Sequence, residues 1–364
     1  MNLSAALIVR DEERCMERCL RSIVDVVDEI VVVDTGSIDN TVAIAESFGA
    51  RVLHYPWDGD FSAARNFGLD HVQGMWVLYI DADEYLRPIS RETMANELGD
   101  ATGHVSYRLR LRHRQGFTPY FEYRIWRNRP DIRFSGVIHE SITPAIFRVS
   151  QAEGLEIGLA DLLLEHDGYE GDQRHKHERN LPLLMEQIRN DPGRTYLWDH
   201  IGRIHHELGH SVEARDAWLK GVELVRRNGA REAADCLVYF DLMLDNASLH
   251  HADGDLVAEG RSLFPDNALI EWGCALMSMA GGDFEEVIRS VDRLLAISPE
   301  RTARMGVGLN ERITEEWAFN VRGTAKFKLG RRDEAALDFA RAEAAAPEIE
   351  EYRVKRLLAQ SGRS

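Results

Sequence analysis

The segment Asp81-Ala82-Asp83 has the residue types of a reactive site. Two carboxylates two residues apart lie on the same side of an extended backbone, and Glu84 adds a third acidic group beside them. Mg²⁺ and Mn²⁺ prefer oxygen ligands and commonly bridge one or two carboxylates to a diphosphate. By itself such a pattern more often caps a helix, so its interpretation depends on the residues around it.

Two further carboxylates follow an earlier apolar run. Asp34 ends the run IVVVD, and Asp39 follows the turn Thr35-Gly36-Ser37. A carboxylate in such a loop can accept a hydrogen bond from a base or a ribose hydroxyl. The sequence has no G-x-G-x-x-G after the first predicted strand and no P-loop lysine, which are the usual signals of dinucleotide binding and NTP hydrolysis. The pattern therefore favours a nucleotide held by carboxylates, a metal and an arginine.

The segments that must position these residues alternate between strands and helices. We predict strands at four short apolar runs, which are Ala5–Val9, Ile30–Asp34, Arg51–His54 and Trp76–Asp81. Helices are predicted between them, at Asp11–Val27, Asn40–Phe48 and Ser62–His71. This order predicts a parallel sheet covered by helices on both faces. Ligands of such sheets bind beyond the carboxyl ends of the strands, where the acidic residues lie.

The pattern changes in the second part of the chain. Further strands are predicted at Val105–Arg112, Tyr123–Trp126, Arg133–Ser135 and Leu162–Glu165. After about Asp172 the sequence is almost entirely helical in character.

The helical part contains a weak repeat of about 34 residues. Thr195–Asn228 and Glu316–Ile349 carry small and large residues at the positions where tetratricopeptide helices pack closely, and Ala234–Asn267 and Ala268–Arg301 are degenerate units. The sequence therefore predicts a tetratricopeptide-like domain, with a plain helical bundle as the alternative.

Composition excludes several classes of protein. The 364 residues include 61 acidic and 44 basic ones, for a net charge of −17, whereas a general nucleic-acid binder needs a basic surface. The longest apolar runs fall far short of the roughly 20 residues that a membrane span needs. Four cysteines are too few for a disulfide scaffold, so we expect a reducing, cytoplasmic location.

Several motifs in natural order and spacing resemble the family 2 glycosyltransferases of the GT-A fold. They are Val9–Glu13, Asp28–Thr41 (DEIVVVDTGSIDNT), Trp57–Gly68 (WDGDFSAARNFG) and Trp76–Leu86 (WVLYIDADEYL). The resemblance covers residues 3–86 and extends more loosely to about 170. It is strongest to the subgroup that contains lipopolysaccharide-core transferases and peptide S-glycosyltransferases, some of which carry tetratricopeptide-like tails. It implies an α/β GT-A catalytic domain with a Rossmann-like parallel or mixed sheet, followed by an all-α helical-repeat domain.

The resemblance implies a site for a UDP-sugar donor. Val9 and Glu12 would line the uracil pocket, Asp34 would bind the ribose or the base, and Asp39 would lie at the base edge. Arg65 would face the diphosphate.

The resemblance also implies a Mn²⁺ or Mg²⁺ ion. Asp81 and the adjoining Ala82 would lie near the ribose and the metal, and Asp83 would bind the metal directly. His166 would complete the metal shell, because a late histidine often does so in GT-A enzymes. The cation would neutralise charge on the leaving UDP oxygen.

The segment Gly136–Glu140 offers groups for acid–base chemistry. An inverting transfer needs a base on the acceptor hydroxyl or thiol. Glu140 could be that base, and His139 could hold the phosphate or the acceptor, or be the base itself. The alternative is a buried His–Glu pair that fixes a loop.

Together these features predict a GT-A domain at 1–170, a helical linker at 171–194 and a tetratricopeptide-like domain at 195–364. The expected reaction is metal-dependent, inverting transfer of a hexose from a UDP-sugar to a Ser, Thr or Cys side chain of a peptide or protein. One alternative acceptor is a polysaccharide, a lipopolysaccharide core or a small molecule. A different class of function is a non-catalytic nucleotide-binding scaffold whose repeats bind a partner. The helical domain could also form a homodimer.

Overall fold

The computed structural model describes residues 2–99, 101–166, 174–230, 233–251 and 253–361. The described residues form two compact units. The first contains those up to Gln115, those from Pro119 to His166, and Pro182–Gln187. The second contains Gly116–Thr118, Arg174–Leu181 and those from Ile188 onward. The first three residues of the predicted linker 171–194 lie outside the described residues.

The first unit is built on an eight-stranded sheet, counted over the described residues. In chain order its strands are β1 (Leu3–Val9), β2 (Glu29–Asp34), β3 (Arg51–His54), β4 (Trp76–Tyr79), β5 (Glu84–Leu86), β6 (His104–Arg112), β7 (Tyr120–Arg127) and β8 (Glu156–His166). Their spatial order is β3-β2-β1-β4-β7-β6-β8-β5. The first four of these are mutually parallel, whereas β7 is antiparallel to both of its neighbours. The predicted α/β domain with a parallel or mixed sheet is confirmed, in the mixed form.

Two hydrophobic cores lie on opposite faces of this sheet. The neighbouring residues Val31 and Val32 of β2 belong to different cores, because successive side chains of a strand point to opposite faces. β1, β2 and β4 are therefore mostly apolar and buried, whereas β3 at the edge of the sheet is only partly buried. Their polar residues are confined to the strand ends, which is where a ligand has access.

Helices cover the sheet, and several of their bounds differ from the prediction. They are α1 (Met16–Ile23), α2 (Thr41–Ser47), α3 (Phe61–Leu69), α4 (Arg91–Leu98) and α5 (Thr143–Glu153). The predicted helix start at Asp11 is wrong, because Asp11 has a left-handed φ of 55° and α1 begins only at Met16. The strand predicted at Arg133–Ser135 is also wrong, since Ser135 forms only an isolated bridge with Ser141. The short elements β5, α4 and α5 were not predicted.

The second unit is helical. Its helices are α6 (Arg174–Asn190), which it shares with the first unit, α7 (Thr195–Glu207), α8 (Ser211–Asn228), α9 (Cys236–Ser248), α10 (Gly254–Leu263), α11 (Ala268–Gly281), α12 (Phe284–Ala296), α13 (Pro299–Arg304), α14 (Ala318–Lys328), α15 (Arg332–Ala345) and α16 (Glu350–Gln360). In three of the four predicted repeats the two helices pack on each other: α7 on α8, α11 on α12 and α14 on α15. In the predicted second repeat, α9 packs mainly on α11 and less on α10. The predicted all-α domain is confirmed.

Two glycines explain why the helices at both ends of the repeat array pack closely. A Cβ at Gly202 would lie 2.3 Å from Nε1 of Trp218, and a Cβ at Gly323 would lie 2.9 Å from Cε1 of Phe339. A large side chain of the second helix thus occupies the space above a glycine of the first. This is the small-to-large contact that the repeat pattern predicts for these two units.

Among the described helices, none is both long and apolar enough to cross a membrane.

Candidate active site

The carboxyl ends of β1 and β2 lie together at the expected ligand edge, where Val9 pairs with Asp34. The buried Asp34 carboxylate accepts hydrogen bonds from the N–H of Ser37 at 3.0 Å and of Gly36 at 3.3 Å. Nδ1 of His54 lies 3.2 Å from the same carboxylate. Burial alone would raise the pKa of Asp34, but the bonds from Ser37, His54 and Gly36 hold that pKa below its ordinary value. Asp34 is therefore a fixed anion at the strand end.

Hydrogen bonds from backbone N–H groups of the loop after β1 to side chains of the loop after β2 join these two loops. The N–H of Asp11 donates to Oγ of Ser37 at 3.0 Å, and the N–H of Glu13 donates to the Asp39 carboxylate at 3.1 Å. Asp39 also accepts from the N–H of Thr41 at 2.9 Å. Asp39 thus fixes the two loops against each other, in addition to any contact with a ligand.

Glu12 lies in the first of these loops, close to other carboxylates. Its Oε2 accepts a hydrogen bond from the thiol of Cys15, with a distance of 3.2 Å between Oε2 and Sγ. Burial raises the pKa of Glu12, and the negative charges of Asp83, Asp81 and Asp39 raise it further. A cation bound at this edge would relieve the repulsion among these carboxylates.

Arg65, on α3, is buried and joins two of the predicted site carboxylates. Its Nη2 donates to Oδ1 of Asp81 at 3.0 Å, and its Nε donates to Oε1 of Glu140 at 2.6 Å. The second oxygen of Asp81 accepts from the hydroxyl of Tyr79 at 2.8 Å. Burial opposes the charge of each group, but the neighbouring arginines Arg65 and Arg124 hold the pKa of Asp81 below its ordinary value. Asp81 is therefore ionised and held on both oxygens.

A second arginine completes this arrangement, and sequence reasoning missed it. Two guanidinium groups lie close to the ring of Tyr79, with Cζ of Arg65 at 4.3 Å and Cζ of Arg124 at 4.4 Å from its centroid. Arg124 donates two hydrogen bonds to Glu84, at 3.0 and 2.8 Å. Glu84 is buried, so it supports Arg124 and adds no free charge to the ligand edge. An arginine within the aromatic strand segment YFEYRIWR was the available signal, because a buried arginine requires an anionic partner.

Asp83 and His166 lie side by side. Oδ2 of Asp83 is 3.0 Å from Nε2 of His166, and Nδ1 of His166 is 2.7 Å from the carbonyl oxygen of His113. Burial would lower the pKa of His166, but the contact with Asp83 is the main cause that raises it to about 9. Because Nδ1 donates to the carbonyl, Nε2 is the nitrogen that faces Asp83, and it could bind a metal ion that displaces its proton.

These two side chains fit a divalent metal ion. Two adjacent ligands of an octahedral Mg²⁺, each about 2.1 Å from the ion, lie about 3 Å apart, as Asp83 and His166 do. The described residues hold no group of three or more His, Cys, Asp or Glu that could bind a metal. The protein would thus provide two ligands, and a diphosphate would have to provide others.

The predicted acid–base residues lie on a loop between β7 and α5. Ser135 and Ser141 close this loop through two backbone hydrogen bonds of 3.1 and 2.9 Å. His139 has a φ of 50°, in the left-handed region. Glu140 is buried against Arg65, with 10% of its side chain exposed. The structure therefore places Glu140 beside the Arg65–Asp81 pair. The alternative prediction from the sequence was a buried pair between His139 and Glu140.

Two other predicted site residues contribute mainly to packing. Val9 and Ala82 are buried and belong to the core beneath the ligand edge. The backbone of Val9 is the part that reaches the loops, since its carbonyl oxygen accepts from the N–H of Thr35 at 3.0 Å.

Comparison with known proteins agrees with this architecture. Residues 4–151 match the family model described as glycosyl transferase family 2. A TPR repeat-containing protein of Synechococcus elongatus is 35% identical over 263 residues, which are 70% of this chain and 63% of that protein. The glycosyltransferase SunS of Bacillus subtilis is 25% identical over 264 residues, which are 66% of this chain and 58% of that protein. The match thus spans about three fifths of the length of both relatives.

Similarity to solved structures is weaker. Glucosyl-3-phosphoglycerate synthase from Mycobacterium tuberculosis, solved in complex with Mn²⁺ and UDP-glucose, has 19% sequence identity and a TM-score of 0.39, covering 51% of this chain and 79% of that chain. The resemblance therefore rests on the sequence comparisons and on the motifs that the fold places at the sheet edge. These confirm the predicted resemblance, in which residues 4–151 of this chain match glycosyl transferase family 2.

Proposed function

We propose that this chain transfers a hexose from a UDP-sugar, with inversion and with a divalent cation, to a Ser, Thr or Cys side chain of a peptide or protein. The observation that carries the proposal is the 3.0 Å contact between Asp83 and His166. Asp83 lies two residues after Asp81, which is paired with Arg65. Both lie at the ligand edge of a family 2 glycosyltransferase domain. We assign the transfer to residues 1–170, with 171–194 as the linker.

The loops after β1 and β2 would bind the nucleoside. Asp34 is ionised and fixed, so it would accept a hydrogen bond from a ribose hydroxyl or from a base N–H. Glu12 and Asp39 lie on the paired loops beside it, with the backbone of Val9 at their base. Carboxylate acceptors suit the uracil N–H and the ribose hydroxyls.

Asp83 and His166 would hold a Mn²⁺ or Mg²⁺ ion at the diphosphate, and Asp81 would lie next to them. When bound, the ion supplies positive charge that stabilises the leaving UDP. Arg65 adds a second positive charge on the protein side. The carboxylates at this edge would by themselves repel a diphosphate. The metal ion and Arg65 would offset that repulsion and allow the diphosphate to bind.

Glu140 would be the base. It takes the proton of the acceptor hydroxyl or thiol while the acceptor oxygen or sulfur forms a bond to the anomeric carbon of the hexose. The bond from that carbon to the diphosphate oxygen breaks, and its electron pair leaves with UDP. Glu140 is paired with Arg65 at 2.6 Å, so the guanidinium occupies a carboxylate oxygen that could otherwise take the proton. A diphosphate that attracts Arg65 would release Glu140, so the donor would activate the base. His139, next to it, is the second candidate for the base.

The helical unit supports a peptide or protein acceptor. Stacked helical hairpins provide an extended surface that suits a long, flexible ligand. We assign acceptor binding to residues 195–364. We also propose a cytoplasmic location, because all four cysteines are free thiols.

Calorimetric titration with UDP, with and without Mn²⁺, tests the donor site. The proposal requires binding that strengthens with the metal, and slow release of UDP from one member of a panel of UDP-sugars. A chain that binds no uridine nucleotide refutes the UDP-sugar proposal, and one that binds UDP but never turns over is a scaffold.

Mass spectrometry of candidate acceptors tests the proposed acceptor class. Incubation with the preferred UDP-sugar should add one hexose to peptides that contain Ser, Thr or Cys. Transfer only to oligosaccharides would replace the peptide acceptor by a glycan.

A further inference from the structure

The loop between β7 and α5 is held along most of its length. On one side it is attached to α3: Oγ of Ser62 donates to the carbonyl oxygen of Gly136 at 2.6 Å, and the N–H of Phe61 donates to the carbonyl oxygen of Val137 at 2.9 Å. Arg65, one turn further along α3, binds Glu140. These contacts fix the first residues and the last residue of the segment Gly136–Glu140.

The middle of the loop is held from a different element. The backbone N–H of Ile138 donates to Oε1 of Gln187 at 3.0 Å. Ile138 is 3% exposed and Gln187 is 8% exposed, so water does not replace this bond readily. Gln187 lies on α6, in the section Pro182–Gln187 that belongs to the first unit.

This hydrogen bond directly precedes the strained residue of the loop. His139 has a φ of 50°, a conformation that is unfavourable for a non-glycine residue and persists only where the surroundings enforce it. Ile138 is fixed by Gln187 on one side of His139, and Glu140 is fixed by Arg65 on the other. Without the bond to Gln187, the peptide before His139 would be free to turn toward a relaxed conformation, and Glu140 would move with it.

We propose that Gln187 is a positioning residue for the transfer reaction: its amide oxygen holds the Ile138 peptide so that His139 and Glu140 keep their places at the donor site. This inference rests on the proposed function, because it concerns the loop that carries the proposed base. Nothing in the sequence pattern singled out Gln187, which lies in a helix of mixed polarity. Gln187 is far from the loop along the chain, but it belongs to the same compact unit.

The test compares Gln187→Leu with Gln187→Glu in the full chain. Leu has nearly the same size but no acceptor, whereas Glu keeps an oxygen at the same position. Gln151→Leu, at an exposed position of α5, is the matched control for the substitution itself. Three quantities are measured: hydrogen exchange of peptides that cover residues 134–141, affinity for UDP with Mn²⁺, and the rate of UDP release from UDP-glucose or the preferred UDP-sugar.

The Gln187→Leu variant should exchange faster in the loop and release UDP roughly 10- to 100-fold more slowly, since the buried N–H of Ile138 is left without its acceptor. Its affinity for UDP should stay within about twofold, because the nucleoside and metal residues lie on other loops. At pH 5, where a carboxyl buried to this extent keeps its proton, Gln187→Glu should behave like the wild type at the same pH in all three measurements. Gln151→Leu should behave like the wild type as well.

Three results would overturn the proposal. One is faster loop exchange with unchanged UDP release, which means that the loop geometry does not matter. Another is a Gln187→Glu variant as slow at pH 5 as Gln187→Leu, which means that the acceptor oxygen is not the cause. The third is a parallel loss of UDP affinity, which indicates general damage. A wild-type chain that releases UDP from no UDP-sugar refutes the proposed function instead, and loop exchange then still decides whether Gln187 holds the loop.

Discussion

Oδ2 of Asp83 lies 3.0 Å from Nε2 of His166, although the two residues are 83 positions apart in the sequence. The antiparallel pairing of β5 with β8 produces this contact, because it aligns Glu84 with His166. This pairing places His166, the last residue of β8, beside the segment that follows β4. A carbonyl oxygen of His113 fixes the imidazole from the other side, so both groups are oriented before any ligand binds.

Asp83→Asn should remove the metal dependence of UDP binding. Asn keeps the shape of Asp but loses the negative charge that a hard cation prefers, so the affinity for UDP with Mn²⁺ should fall by at least about 100-fold, toward the value without metal. Calorimetric titration measures this. Asp161→Asn, at an exposed position of β8, is the matched control. Metal-dependent binding that survives in Asp83→Asn would remove Asp83 from the metal site.

Glu140→Gln should separate binding from turnover. The amide cannot accept the acceptor proton, so turnover should fall by about 100- to 10,000-fold, while the affinity for UDP with Mn²⁺ changes little. Initial rates of UDP release and calorimetry give the two quantities. Glu153→Gln, at the end of α5, should leave both unchanged. If Glu140→Gln keeps full turnover, the base is another residue, and His139 is the first to test.

Gly202→Ala should destabilise the helical unit. The added Cβ would lie 2.3 Å from Nε1 of Trp218, so the two helices must separate, at a cost of about 2 kcal/mol. Gly254→Ala is the matched control, because a Cβ there meets nothing within 4 Å, and its effect should stay within about 0.5 kcal/mol. Urea denaturation followed by circular dichroism measures both. Equal stabilities of the two variants would contradict the close packing of α7 on α8.

Asp199 should make the stability of the helical unit depend on pH. It is fully buried in α7, and burial raises its pKa well above the ordinary value, although Arg203 opposes this. Between the ordinary pKa of about 3.9 and the raised value, the folded chain keeps a proton that the unfolded chain has released. The contribution of Asp199 to the free energy of unfolding therefore falls as pH rises through that range.

The neutral variant Asp199→Asn should thus be more stable than the wild type at pH 8, by about 1 kcal/mol or more, and the difference should shrink toward pH 5. Denaturation at both pH values tests this, with the exposed Asp216→Asn as the control. If the wild type is instead the more stable protein at pH 8, the attraction of Arg203 outweighs the cost of burying Asp199.

Sequence reasoning located the elements of the parallel half well, because buried parallel strands have a simple signature. The runs that became β1, β2 and β4 are short and largely apolar, and an acidic residue ends each strand or follows it within two residues. The helix bounds were less accurate, since the chain after β1 is held by hydrogen bonds to the loop 37–41 and not by helical ones. Strand β5 was missed because three residues carry too little pattern to distinguish a strand from a turn.

The sequence by itself determined that this chain has an α/β domain with carboxylates at its strand ends and a helical domain after it. The spacing of apolar residues and the order of the motifs are local features of the chain, and such features can be recognised from the sequence alone. Only the tertiary structure decided that Arg65 joins Asp81 to Glu140, that Arg124 neutralises Glu84, and that Gln187 holds the loop before His139. Each of these contacts joins side chains from different elements, and a buried charge or amide takes whichever partner the packing brings within reach. That choice is made by the fold as a whole, so no single segment of the sequence records it.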